Sequence, residues 1–231
     1  MKKYRHLFFD LDHTLWDFEK NSEETLFHLY DLYDLGRFGT FDKTYFYKKY
    51  KNINHQLWVE YTAGKISQEE LREARFVKTL KKLGLKKSDI PKQIADDYVA
   101  ICPTKSALFP FTHETLGYLR DKYTLHIITN GFKDVQHIKL NSSNLYEYFN
   151  EVITSECCGY KKPQKQIFEH ALQRCNVTAS ECLMIGDNLD ADILGASAAG
   201  IDQVYFNPDQ RRHRRKITYE ITCLSQLVEI L

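Results

Sequence analysis

The pentapeptide Asp10-Leu11-Asp12-His13-Thr14 follows directly on the apolar run Leu7-Phe8-Phe9. A short apolar run that stops at an acidic pair reads as a buried strand whose end opens onto a site. Two carboxylates two residues apart repel each other unless a proton or a cation lies between them. A divalent metal relieves that repulsion. It also frees one aspartate to attack an electrophile and the other to carry a proton. The same five residues fit a solvated strand-to-loop turn, so the choice rests on the rest of the chain.

Three further polar clusters stand at or beyond the ends of apolar runs. Thr129-Asn130-Gly131 follows Leu125 to Ile128, and Lys161-Lys162-Pro163 lies beyond Glu151 to Thr154. Gly186-Asp187-Asn188, with Asp190 and Asp192, follows Glu181 to Ile185. In parallel sheets ligands bind at the carboxyl ends of the strands. Carboxylates, a hydroxyl, an amide and a fixed lysine gathered there suit phosphoryl transfer around a hard cation. Taken singly, Thr129 also reads as a plain strand end, Asp190 as a solvated helix start, and Asn188 as either a helix cap or part of a metal shell.

The elements that must position these clusters alternate in type. Strands are expected near Arg5 to Leu11, Leu125 to Thr129, Glu151 to Thr154, Glu181 to Ile185 and Gln203 to Phe206, with a short one at Ile217 to Glu220. Between them lie helical stretches at Thr112 to Lys122, Asp134 to Leu140, Gln164 to Cys175 and Ala191 to Ala199. This alternation predicts an α/β fold with a doubly wound parallel sheet. Between the first and second strands only helices are signalled. One is capped by Asn21 or Ser22 and runs to Leu35, one spans Phe41 to Tyr61, and one spans Ser67 to Leu83. The third has a Ser67/Glu70 capping box and a stop at Gly84, and a fourth opens at Ser88 or Asp89 ahead of Pro91. This stretch reads as an inserted helical domain.

Composition narrows the functional class. The chain has 231 residues and a formal net charge of +1, so no global field draws it to a nucleic acid polymer or a membrane surface. Six cysteines without C-x-x-C or zinc-like spacing suit a reducing, cytoplasmic setting. Met1-Lys2-Lys3 could open a signal peptide, but the apolar run meets Asp10 too soon. The basic run Arg211 to Lys216 follows a turn signal and reads as a solvated loop. The vicinal Cys157-Cys158 pair reads as structural thiols. Trp16, Asp17 and Phe18, just past the acidic pair, are the expected substrate-facing residues.

In order, Asp10-Leu11-Asp12-His13-Thr14, Thr129-Asn130-Gly131, Lys162-Pro163 and Gly186-Asp187 with Asp192 resemble the four motifs of the haloacid dehalogenase (HAD) superfamily. The resemblance covers essentially the whole chain, because the helical insertion sits where that family carries its C1 cap. Gly186-Asp187-Asn188-Leu189 through Asp192-Ile193-Leu194-Gly195-Ala196 is similar, more narrowly, to the noncanonical pyrimidine nucleotidases. The resemblance implies a Rossmann-like core over 1–15 and 105–231 and a helical cap over 16–104 that closes over the site. It implies Asp10 as nucleophile, forming an aspartyl-phosphate, and Asp12 as the acid that protonates the leaving oxygen and then deprotonates water. Mg²⁺ would be held by the Asp10 carboxylate, the Asp12 carbonyl and Asp187, with Asp192 holding a metal-bound water or orienting Lys162. Thr129 and the Asn130 backbone N–H would bind phosphoryl oxygens, and Lys162 would pair with the phosphate and Asp10.

Dehalogenases of the family lack an acid two residues after the nucleophile, so Asp12 points to a phosphate ester. The implied function is a phosphomonoesterase, first a 5'-nucleotidase on pyrimidine nucleoside monophosphates. A sugar-phosphate phosphatase or phosphomutase and a non-catalytic phospho-ligand-binding protein stand as alternatives. Many relatives have a small residue where His13 stands, and no role follows for it. The implied partner is a small phosphate monoester, and the oligomeric state is open.

Overall fold

The computed structural model describes residues 4–39 and 41–231; the Met1-Lys2-Lys3 start weighed above lies outside them. The chain forms two compact units. One comprises the described residues up to Phe18 together with Ser106–Leu231, and the other is Glu19–Lys105. The expected boundaries at Leu15/Trp16 and Thr104/Lys105 therefore move to Phe18/Glu19 and Lys105/Ser106. Backbone pairing is the reason. The Asp17 N–H donates to the Ala107 carbonyl (3.0 Å), the Phe109 N–H donates to the Leu15 carbonyl (2.9 Å), and Trp16 bridges Leu108.

The first strand, β1, is His6–Phe9, and the helical stretch follows it. Helix α1 spans Phe18–Leu32, starting earlier than Asn21 or Ser22 would allow as caps. Both residues are buried inside it, and the Ser22 hydroxyl sits 2.9 Å from the Tyr98 hydroxyl. Tertiary contact, not capping, uses the Ser22 side chain. Helix α2 spans Lys43–Thr62, with the Asp42 side chain accepting from the Tyr45 N–H. Helix α3 spans Gln68–Lys82, and its reciprocal Ser67/Glu70 capping box is formed. Gly84, at φ +97, takes a backbone conformation that costs a glycine little. Helix α4 spans only Ile94–Ile101, because the residues ahead of Pro91 make a separate short 3₁₀ turn at Lys87–Asp89. Phe46, Tyr50, Leu71, Phe76, Leu80 and Tyr98 are buried in this unit.

In the other unit, strand β2 is Thr124–Thr129, β3 Glu151–Thr154, β4 Cys182–Gly186, β5 Asp202–Phe206 and β6 Tyr219–Ile221. They form one parallel sheet in the order β3-β2-β1-β4-β5-β6. Leu7, Phe8, Phe9, Ile127, Ile128, Leu183, Met184 and Ile185 are each buried, as strands covered on both faces require. The strands are joined through α5 (Thr112–Arg120), α6 (Lys133–Ser142), the one-turn α7 (Ser155–Cys158) and α8 (Lys165–Cys175). Ile167, Phe168 and Ala171 of α8 share an apolar cluster with Phe8 and Met184.

The helix expected at Ala191 to Ala199 is instead a wide π turn, Leu189–Leu194, running into a short α9, Gly195–Ala198. The basic run Arg211 to Lys216 has no regular structure and is largely exposed, with Arg211 paired to Asp209 at 2.6 Å. No helix among the described residues is long and apolar enough to cross a membrane.

Candidate active site

The strand order turns at β1. The chain runs outward to β2 and β3 on one side and to β4, β5 and β6 on the other. Such a reversal leaves a crevice at the carboxyl ends of the two central strands. Asp10 directly follows β1 and Asp187 directly follows β4, so the sheet delivers both carboxylates to that crevice. The Asp10 N–H, donating to the Ile185 carbonyl (2.9 Å), extends the β1–β4 ladder by one bond and fixes where Asp10 leaves the sheet.

Lys162 is the hub. Its ammonium donates to Asp10 Oδ1 and Asp192 Oδ1, each at 2.6 Å, and to the Ile128 carbonyl at 2.8 Å. Lys162 and Asp192 are almost fully buried. The adjacent Lys161 is partly exposed, so the buried amine of the pair is that of Lys162. Asn130 locks the lysine from the backbone side. Its side-chain amide donates to the Lys162 carbonyl (2.9 Å), and its side-chain oxygen accepts from the Lys162 N–H (2.7 Å).

The wide turn after β4 holds the remaining acid. Asn188 caps it, its side-chain oxygen accepting from the N–H groups of Asp190 and Ala191. The Asn188 N–H donates to Asp192 Oδ2 at 3.0 Å. Of the two roles the sequence left open for Asn188, the cap is the one its side chain performs. Asp190 is exposed, with Arg215 at 3.8 Å. The Thr14 hydroxyl donates to Asp187 Oδ1 at 3.3 Å. The buried Thr129 hydroxyl accepts from the Gly131 N–H at 3.0 Å, which leaves its own proton free to donate.

Asp10, Asp187 and Asp192 each offer a carboxylate oxygen, and these atoms lie within 4.8 Å of one another. Three carboxylates around one ammonium leave two negative charges uncompensated. Burial therefore pushes the Asp10 carboxyl up to about 7, against the pull of Lys162, with Asp192 and Asp12 adding to the rise. Asp187 is raised well above the usual carboxylate range, by burial and then by Asp192 and Asp10. Burial opposes the charge on Lys162, but the two carboxylates outweigh it and raise its pKa. The donor set, all hard oxygen with a deficit of two charges, suits a divalent cation.

Asp12 stands apart from this cluster. Its carboxylate is taken by Lys139, whose ammonium lies 2.5 and 2.8 Å from the two oxygens. Of the Asp12 oxygens, the carbonyl is the one left for the metal role the sequence gave this residue. Trp16 is fully buried, with the Lys139 ammonium 4.4 Å from its ring centre, so its ring is not open to a ligand as the sequence reading expected. Asp17 beside it is partly exposed.

Lys139 was missed from sequence, and Thr14 was marked there only as part of the first motif. Lys139 belongs to a stripe of buried α6 residues with Gln136 and Leu140, while the apolar Ile138 faces out. Apolar periodicity could not reveal that stripe, because two of its three members are polar.

The family model for haloacid dehalogenase-like hydrolases matches residues 4–200. The pyrimidine 5'-nucleotidase YjjG of Escherichia coli is 30% identical over 99% of this chain and 98% of its own. The pyrimidine 5'-nucleotidase PynA of Streptococcus pneumoniae is 32% identical over 99% and 95%. Among solved structures, the HAD-hydrolase YfnB of Bacillus subtilis bound to magnesium, for which interdomain movement is described, aligns with a TM-score of 0.87. It is 30% identical, with 99% of each chain covered.

Proposed function

The chain belongs to the haloacid dehalogenase-like hydrolases, and from that premise we propose a Mg²⁺-dependent phosphomonoesterase that forms an aspartyl-phosphate and acts on pyrimidine nucleoside monophosphates. One observation carries the reading. A single buried amine holds Asp10 and Asp192 at 2.6 Å each, with Asp187 close enough to complete a three-carboxylate cradle. The full-length likeness to two pyrimidine 5'-nucleotidases supports the substrate class. The six free thiols suit a reducing cytoplasm.

In this reading Asp10 attacks phosphorus, and Lys162 offsets the charge that builds on the phosphoryl oxygens. Asp12 gives its proton to the leaving oxygen as the phosphorus–oxygen bond breaks. Water then attacks the aspartyl-phosphate, returns a proton to Asp12 and releases Asp10. The Thr129 hydroxyl and the Asn130 N–H donate to phosphoryl oxygens. Asp17 is the candidate to face the rest of the substrate. Asp10, Asp187, Asp192 and the Asp12 carbonyl would hold Mg²⁺, which supplies charge neutralisation between nucleophile and phosphate when bound.

The test is phosphate release from nucleoside monophosphates, sugar phosphates and p-nitrophenyl phosphate, with Mg²⁺ and with EDTA. We expect metal-dependent release that is greatest on pyrimidine monophosphates. Asp10→Asn should lower it by on the order of 10³-fold or more. A preference for sugar phosphates overturns the substrate and keeps the chemistry. Unchanged turnover in Asp10→Asn overturns the mechanism.

A further inference from the structure

We propose that Lys139 is a positioning residue for Asp12, holding its carboxyl group in the direction that both proton transfers require; this rests on the phosphomonoesterase reading above. Lysine is rarely this buried without a purpose for its charge, and Lys139 is only 4% exposed. Its ammonium engages both Asp12 oxygens, at 2.5 and 2.8 Å, which fixes the plane of the carboxyl group as well as its place. The same ammonium lies 4.4 Å from the Trp16 ring centre and 5.7 Å from that of Phe18, within cation–π range of both. The lysine is therefore itself held, and it cannot drift and carry Asp12 with it.

The backbone beneath Asp12 is equally fixed. The Leu11 carbonyl accepts from the N–H groups of Leu15 and Trp16 at 3.0 and 2.9 Å, and the His13 N–H donates to the Trp16 carbonyl at 3.0 Å. His13 takes φ 64 to close this turn. The turn thus supplies both the carboxyl group and the indole that seats its partner. What the turn leaves undetermined is rotation about the Asp12 side-chain bonds, and Lys139 removes that freedom.

The chemistry needs this restraint. Asp12 must first deliver a proton to the leaving oxygen and later take one from the attacking water. Both atoms occupy the same side of phosphorus in turn, so one fixed orientation serves both steps. For packing alone, a buried ion pair is a poor choice. An apolar residue of similar volume avoids the desolvation cost, whereas the pair contributes direction.

The experiment compares wild type, Lys139→Met and Lys139→Arg with Mg²⁺ on two substrates. One is uridine monophosphate, or whichever alkyl phosphate the wild type hydrolyses best, and the other is p-nitrophenyl phosphate. The nitrophenolate leaves with little help from an acid, whereas the alkyl oxygen depends on one. Loss of positioning should lower kcat/KM, which reports the chemistry only as far as departure of the leaving oxygen, by about 10²-fold on the alkyl ester and by less than about fivefold on the aryl ester. Lys139→Arg should recover part of the alkyl-ester rate. Equal losses of kcat/KM on both substrates mean a merely structural role and overturn the proposal, as does no loss on either. A wild type inactive on every ester takes down the parent reading, and this inference with it. If the methionine variant does not fold, as judged by its melting curve, Lys139→Gln carries the same comparison.

Discussion

At Gly186 a single missing methyl group decides the geometry of the acid cluster. A Cβ there would stand 2.4 Å from the Asp192 carboxyl group, whose two oxygens are held by Lys162 and the Asn188 N–H. Gly186→Ala must therefore push Asp192 off its partners. We expect destabilisation of about 1–3 kcal/mol, of the kind an overpacked interior shows, and a higher Mg²⁺ requirement for turnover. Melting temperature and a Mg²⁺ titration of activity check this together, and an unchanged Mg²⁺ midpoint would argue against Asp192 as part of the metal cradle. The sequence marked Gly186-Asp187 as a motif, but a carboxylate six residues on pressing against the glycine is a matter of three dimensions. Asn130 teaches a similar lesson. The resemblance gave its backbone N–H a phosphate contact, and the fold adds a second part that no local pattern signals, its side chain bonded to the Lys162 backbone.

The elements were most legible where their signals are local. Ser67 and Glu70 form the capping box their spacing implied, because both bonds lie within one turn of the chain. Ser67→Ala should cost about 1 kcal/mol, read as a lower unfolding midpoint with no change in the rate of phosphate release. A loss of activity without a loss of stability would contradict that purely structural assignment. Helix α1 was less legible. Asn21 and Ser22 have cap chemistry, yet both are buried, with Ser22 meeting Tyr98 from a distant helix. Helix α6 was misleading in the opposite sense. Its buried stripe carries Gln136 and Lys139, while Ile138 is 40% exposed, so a periodicity of apolar residues selects the wrong face.

For the molecule as a whole, the site's uncompensated charge links metal, pH and stability. Without metal, Asp10 stands at about 7 and Asp187 is also raised, whereas in the unfolded chain both lie near the ordinary value of about 3.9. The folded state thus holds protons that the unfolded state has released. Stability from these groups is present at low pH and is lost as pH rises from about 4 through 7. His126, whose ring is driven down to about 4 by burial and by His6, works the other way and loses stability as pH falls below about 6.5. Net stability against pH therefore mixes the two. The metal increment separates them, because the cation proposed for this site would compete with protons for the carboxylates and not for the His126 ring. Mg²⁺ should raise the melting temperature more at pH 8 than at pH 5, when scans with Mg²⁺ are compared with scans in EDTA. An equal increment at both pH values would sink the assignment of the site's charge.

The sequence by itself determined the parallel α/β class, the helical insertion and the four clusters at strand ends. All of these rest on short-range regularities: apolar runs that stop at polar residues, and the alternation of strand with helix. It also supplied Asp10, Asp12, Lys162, Asp187 and Asp192 as a set. Only the tertiary structure decided which of these meet. Lys162 lies 152 positions from Asp10 and 30 from Asp192, and no local pattern encodes a hydrogen bond across those separations. The strand order that brings β1 between β2 and β4 closes them. The same closure brings Lys139 onto Asp12 across 127 positions and seals Trp16 beneath it. A lysine on a polar helix reads as solvent-facing until a distant carboxylate and an indole give its charge a place inside.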